Sequence, residues 1–229
     1  MPDALNLPLE SPDRAPAQPD APTSGEKVRK RPKPGERRVQ ILQALASMLE
    51  QPGGERITTA ALAARLDVSE AALYRHFASK AQMFEGLIEF IEQTVFSLVN
   101  QIVEREQAVA DGAGDPGARQ AVKIIAMLLQ FAEKNPGMAR VMVGDALVFE
   151  NDRLIARMNQ FFDKIEATLK QCLRDGAAAG TSATPTVDAQ VRASVLSAFV
   201  GGRLQRFVRS GYKRLPSEHL DASLRLLLG

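Results

Sequence analysis

The sequence contains no tryptophan, one cysteine, two histidines and two tyrosines in 229 residues, and each scarcity removes a class of protein. The lone thiol, Cys172, has no partner in its own chain, so no disulfide framework substitutes for a hydrophobic core. It lies inside an apolar-periodic segment and reads as a buried packing residue of a reducing compartment rather than a reactive group. His76 and His219 are remote from each other, with no cysteine or carboxylate at ligand spacing from His76, so neither a metal site nor a cofactor is expected. No nucleophile elbow, phosphate loop or paired histidine occurs, which argues against an enzyme. No run approaches the roughly 18 consecutive apolar residues of a spanning helix, and the first residues lack a charged-then-apolar leader. A soluble, cytoplasmic chain with no membrane partner is the expectation.

What is present suffices for one or two ordinary cores, since 45% of the residues are apolar and 24% charged. The net charge of +2 conceals a segregation. Residues 1–25 carry six prolines, no apolar period and a mildly acidic balance (Asp3, Glu10, Asp13 and Asp20 against Arg14), which reads as a disordered extension. Residues 26–38 then turn basic, with Lys27, Arg29, Lys30, Arg31, Lys33, Arg37 and Arg38 against Glu26 and Glu36. A charge run is commonly a solvated surface. Beside a DNA-reading helix, such an arm can neutralise phosphates or enter the minor groove.

Helical spacing begins at once. Val39, Ile41, Leu42, Leu45, Met48 and Leu49 place an amphipathic helix over Arg37 to Glu50, ended by Pro52-Gly53-Gly54. A short second helix starts at Thr58 or Thr59, either of which can cap it, and runs to Leu66. Asp67-Val68-Ser69 interrupts the pattern. Ser69 can cap a third helix, Glu70 to Phe77, with Leu73 and Phe77 four apart on an inward face. Two short helices joined by a tight turn make a helix-turn-helix, whose second helix enters the major groove.

The run ITTAALAARLDVSEAALYRHFASKAQMF resembles the DNA-binding domain of the TetR family, with Val68, Ser69, Leu73, Tyr74, Phe77, Ser79 and Lys80 at the positions most typical of it. The resemblance continues through LIEFIE, KNPG, ALVFENDRL and RFVRS, over most of residues 36–215, to a branch of that family. It implies a dimer that binds palindromic sites in double-stranded DNA at the nucleoid and, once bound, antagonises the cell-division GTPase FtsZ. The implied fold is all-α and TetR-like. Residues 1–35 form the extension and basic arm, 36–80 a three-helix DNA-binding domain, and 81–229 a helical domain for dimerisation and partner binding. Thr58 and Thr59 would offer hydroxyls to phosphates as well as capping. Ser69, Glu70 and Ala71 would approach bases; Tyr74 and His76 would project to backbone or base edges, unless Tyr74 is a half-buried aromatic. Lys80, Arg37 and Arg38 would add phosphate contacts.

Beyond this domain, Ser79-Lys80-Ala81-Gln82 has the form of a capping box and opens a long helix to about Glu106. Its inner stripe is Phe84, Leu87, Ile88, Ile91, Val95, Leu98 and Ile102, while Glu85, Glu89 and Glu92 read as a solvated acidic face rather than acid-base machinery. Phe90 interrupts that face, as a partner anchor or as packing under a neighbouring helix. A loop at Asp111 to Gly117 precedes a nearly all-apolar helix, about Ala118 to Lys134, which should be central and end at Asn135-Pro136-Gly137. The resemblance places Phe90, Gln130, Lys134 and Asn135 at the FtsZ-binding groove; ordinary helix-end capping is the other reading of Lys134 and Asn135. Leu98 and Gln130 depart from the residue types expected there. Long helices over about Glu150 to Asp175 (Leu154, Ile155, Met158, Phe162, Ile165, Leu169) and Val187 to Gly211 (Val191, Val195, Leu196, Phe199, Val200, Leu204, Phe207, Val208) flank a small-residue connection, Gly176 to Pro185. They would meet their copies as a four-helix bundle, with Gly201-Gly202 allowing close approach. Leu220, Leu224 and Leu227 suggest a short closing helix. A ligand-responsive repressor, the usual role in this family, stays open beside the division inhibitor.

Overall fold

A computed structural model describes residues 35–51, 57–108, 115–148, 150–177 and 184–228. The proline-rich extension and most of its basic arm, the Pro52-Gly53-Gly54 stop, most of the Asp111–Gly117 loop and most of the Gly176–Pro185 connection lie outside the described residues. Among the described residues the regular elements are helices, with no strand: α1 (Glu36–Leu49), α2 (Thr59–Arg65), α3 (Glu70–Tyr74), α4 (Lys80–Ala108), α5 (Pro116–Lys134), α6 (Pro136–Met142), a 3-10 turn (Asp145–Leu147), α7 (Asp152–Ala177), α8 (Pro185–Arg209) and α9 (Leu220–Leu228).

The helix starts follow local chemistry. Thr58 Oγ1 accepts from the Ala61 N–H at 3.1 Å, Ser69 Oγ from Ala72 at 3.3 Å and Ser79 Oγ from Gln82 at 3.2 Å, each satisfying a first-turn amide that the helix leaves unpaired. The capping box closes one residue early: Gln82 Oε1 accepts from the Ala78 N–H at 2.8 Å. One helix was not expected. Pro136 does stop α5, but it occupies the first turn of α6, where its missing N–H costs nothing, so the chain restarts instead of looping. α3 ends at Tyr74, three residues earlier than its spacing suggested, and Phe77 turns inward from the following turn.

Phe77 is the centre of the headpiece. It is 2% exposed beside Leu62, Leu73, Leu42 and Leu45, and Gly86 of α4 lets its ring press against the helix backbone. A Cβ at Gly86 would stand 2.9 Å from Phe77 Cε1. Below it α5 is enclosed by α4, α7 and α8, with Ile124, Ile125, Leu128 and Leu129 at 0% exposure, as its all-round apolarity required. Cys172 is buried in α7, and burial pushes its thiol up to about 11, so it stays protonated and inert at neutral pH.

Four inward assignments are corrected. Val39 of α1, Ile155 of α7 and Val191 and Val195 of α8 face outward, because each helix spends its other face on α4 or α5. Val191 and Val195, with Val187, form an apolar stripe along α8 that no described residue covers. The acidic face of α4 is likewise not simply solvated. Glu85 accepts from Arg153 at 3.2 Å, and Glu92 accepts from Arg157 at 3.0 Å and Lys164 at 3.5 Å, so it faces a basic side of α7.

Headpiece and body are joined at the C-terminal turn of α1. Gly137 of α6 packs so closely on α1 that a Cβ would lie 1.9 Å from the Ala46 carbonyl oxygen. Arg140 Nη1 donates to the Leu49 carbonyl at 3.1 Å and to that of Gln51 at 3.4 Å, while its Nε donates to Asp145 at 2.6 Å. The Tyr212 hydroxyl reaches the same Leu49 oxygen at 3.3 Å. Burial pushes that phenol up, which keeps it a donor. Gly137→Ala should therefore force α1 and α6 apart at a cost of at least about 2 kcal/mol. A drop in melting temperature of roughly 5 °C or more checks it.

At the far end, the carboxylate of Glu106 is buried between Arg119, at 3.3 Å, and Lys123, at 2.5 Å. The Lys123 bond first, and then that of Arg119, hold it below the ordinary 4.5 against the desolvation that raises it. A lowered native value means that the stability from this site is complete above the unfolded value and is lost as pH falls through the native one. Thermal melts in acid should accordingly lose melting temperature below pH 4.5 more steeply in the wild type than in Glu106→Gln.

Candidate nucleic-acid interface

The turn between α2 and α3 sets the reading helix. Asp67 adopts φ 53°, and the Val68 N–H donates back to the Ala63 carbonyl at 3.0 Å, so α3 leaves α2 at a sharp angle with Leu62, Ala63 and Leu73 buried beneath. That leaves Ser69, Glu70, Ala71 and Tyr74 exposed on one outer face, with Tyr74 at 45%. Its ring is half-exposed, and its hydroxyl lies on the outer face beside Thr59.

The expected residues are organised by one another. Thr59 Oγ1 donates to Glu70 Oε2 at 2.6 Å and accepts from the Tyr74 hydroxyl at 3.5 Å, so the start of α2 is tied to the outer face of α3. Thr58 is spent on its cap but remains exposed, and the first amides of α2 point the same way. His76 sits half-buried in the turn after α3, with its backbone carbonyl accepting from Arg38 Nη1 at 2.5 Å. The same guanidinium lies 4.2 Å above the Phe77 ring, so Arg38 braces α1 against the reading helix while its charge stays at the surface. Arg37 donates to Gln40 at 2.9 Å.

Lys80, expected at a phosphate, is already engaged. Its ammonium forms an ion pair with the nearly buried carboxylate of Glu150, just before α7, so a phosphate would have to displace that partner. Two cations were passed over in the sequence. Arg65 ends α2 and Arg75 follows α3; both are exposed and neither holds a hydrogen bond or ion pair within the described residues. Each occupies an outward position of the two-helix unit, a periodicity signal available from the sequence. An exposed surface around a helix-turn-helix that carries unpaired arginines suits a polyanion, with phosphates taken by side-chain charge and helix-start amides.

The candidate partner residues fall on α4 and α5. Gln120 donates to the Val103 carbonyl at 3.3 Å and Arg119 to Glu106 at 3.3 Å, which sets the two helices antiparallel. That register brings half-buried Phe90 level with the last turn of α5, where Lys134 is exposed, and Gln130 stands exposed one turn earlier. Asn135 donates from Nδ2 to the Phe131 carbonyl at 2.8 Å, so helix-end capping is its structural role.

A helix-turn-helix headpiece on a helical body defines the class of a DNA-binding regulator. Residues 41–87 match the family described as bacterial regulatory proteins, tetR family, and residues 118–229 the tetracyclin repressor-like C-terminal domain of the SlmA-like kind. The chain is 49% identical over 191 residues to the nucleoid occlusion factor SlmA of Idiomarina loihiensis, covering 83% of this chain and 93% of that protein. It is 48% identical over 197 residues to the SlmA of Aliivibrio fischeri, covering 86% and 96%. Among solved structures it is similar in fold to the regulator FadR of Bacillus subtilis in complex with stearoyl-CoA, with TM-score 0.66 and 15% identity over 83% of this chain and 97% of that one. The chain belongs to the tetR family and, within it, to the SlmA nucleoid occlusion factors.

Arg65→Gln and Arg75→Gln should each weaken binding to any duplex and lower the slope of log affinity against log salt by about one. His76→Ala and Tyr74→Phe should weaken binding to the preferred duplex with the fold intact. Lys80→Met, by stranding Glu150, should instead lower the melting temperature and leave the slope unchanged. Fluorescence anisotropy across a salt series, paired with thermal melts, separates the three outcomes.

Proposed function

We propose that the protein is a DNA-activated nucleoid occlusion factor: a homodimer that binds palindromic chromosomal sites and, when bound, antagonises FtsZ assembly so that no septum forms over the nucleoid. The observation carrying this reading is the 48–49% identity to nucleoid occlusion factors over most of both chains, spanning headpiece and body alike. The uncovered stripe of Val187, Val191 and Val195 on α8 supports a dimer, because a contiguous apolar helix face is stabilised by a second copy. Gly201 and Gly202 continue it with open space where a Cβ would stand, room for a close helix crossing. A twofold through α8 presents two reading helices, and a palindrome with half-sites about one helical turn apart is the matching target.

The residues for FtsZ are Phe90, Gln130, Lys134 and Asn135, with the aromatic as anchor and Lys134 as cationic rim. Their position on α4 and α5 suits coupling to DNA, since α4 begins in contact with Phe77 and continues into the body. DNA that fixes the headpieces, or simply concentrates dimers along the chromosome, would raise affinity for a filament.

A ligand-responsive repressor needs inward polar groups to hold its effector. The buried polar side chains among the described residues are Glu106 and Gln120, and both are satisfied by Arg119, Lys123 and the Val103 carbonyl, which favours the division-inhibitor reading. The test follows GTP-dependent FtsZ polymers by sedimentation and light scattering, with and without a bound palindromic duplex. Polymers should be lost or remodelled only with protein and duplex together, and Phe90→Ala should abolish this while DNA affinity is kept. Polymers indifferent to a tightly bound complex would turn the reading to a repressor.

A further inference from the structure

Several cations on the body of this protein are matched by acids. Arg153 pairs with Glu85, Arg157 and Lys164 with Glu92, and Arg119 and Lys123 with Glu106. The end of α8 gathers cations that have no such match. Arg206, Arg209, Lys213 and Arg214 are all exposed, and none makes a side-chain hydrogen bond or ion pair within the described residues. Between Arg203 and Glu218 the sequence has no acid. Arg203 is not part of the group, because its guanidinium turns to the Glu218 carbonyl at 2.9 Å and Ser223 Oγ at 3.0 Å.

Helix-end electrostatics accounts for part of this. Arg206 and Arg209 lie in the last turn of α8, where positive charge complements the helix dipole. Lys213 and Arg214 stand beyond the cap and gain nothing from it. Four like charges packed into nine residues repel one another, a cost that a polyanion removes.

The segment is also held in place. Gly211 and Tyr212 take φ 60° and 66°, the Tyr212 ring rests 5.2 Å from that of Phe207, and its hydroxyl is bonded to the Leu49 carbonyl of α1. The basic turn is thereby pinned to the helix that carries the DNA-binding headpiece. Arg206 and Arg209 further continue, at helical spacing, the exposed face that begins with Val187, Val191 and Val195. A dimer through that face would bring two such clusters together at the headpiece end of the body.

We propose that Arg206, Arg209, Lys213 and Arg214 form a second phosphate-binding surface for double-stranded DNA, separate from the helix-turn-helix and indifferent to base sequence. It rests on the DNA-binding reading above, and adds charge contacts to the backbone of the duplex that the headpieces hold. Non-specific phosphate contacts strengthen every site alike and steepen the dependence on salt.

The test uses the full-length protein on a preferred palindrome and on an unrelated duplex of equal length. The variant Arg206→Gln, Arg209→Gln, Lys213→Gln, Arg214→Gln should reduce the salt slope by roughly two to four and the affinity roughly tenfold or more on both duplexes, leaving their ratio unchanged. Arg206→Lys, Arg209→Lys, Arg214→Lys, which keeps the charge, should restore both. Should the fourfold variant fold poorly by thermal melt, Lys213→Gln with Arg214→Gln alone, two residues in an exposed turn, should lower the slope by one to two. An unchanged slope in a folded neutral variant overturns the proposal. So does an unchanged slope accompanied by lost binding to vesicles containing phosphatidylglycerol, which would make the surface one for anionic lipid. A wild type without preference for the palindrome would instead refute the headpiece reading, an outcome visible in the ratio and not in the slope.

Discussion

The Leu49 carbonyl, at the end of α1, receives Arg140 from α6 and the Tyr212 hydroxyl from the turn after α8, while one turn earlier the Ala46 carbonyl lies against Gly137. Helix ends leave carbonyls that must find donors, and here the donors come from the other half of the molecule. Everything above α1, including the reading face of α3, takes its orientation from this joint. The contact is intolerant because it is backbone against backbone, with no side chain to yield. Arg140 is itself held by Asp145, so the donor is aimed before the headpiece arrives.

Charge is handled differently on different faces of the molecule. In the body, acids and bases face each other across α4 and α7 and across α4 and α5, at separations of 2.5 to 3.5 Å. Such pairs add little to stability where they are exposed, but they neutralise those faces. In the headpiece, Arg65 and Arg75 have no partner among the described residues, and the same holds at the end of α8. A protein of net charge +2 can thus present a strongly cationic surface to DNA. Lys80 is the instructive exception, a cation at the seam that the body claims through Glu150.

Much of this was legible in the linear pattern, because it depends on neighbours three or four residues apart. The caps at Thr58, Ser69 and Ser79, the buried pair Leu73 and Phe77, the apolar α5 and the outward Tyr74 all follow from local hydrogen bonding and helical period. Other features needed the fold. Pro136 reads as a stop, and only packing of α6 on α1 converts it into a start. Val191 and Val195 read as core, because a period of 3.6 says which residues share a face and not which face is covered. The ion pairs of Lys80 with Glu150 and of Glu92 with Arg157 join residues about 70 apart, a separation at which sequence spacing carries no information. The sequence by itself determined helices, their caps and the family of the headpiece; the tertiary structure alone decided which cations lack an acid partner among the described residues, since that depends on where each acid lands after folding.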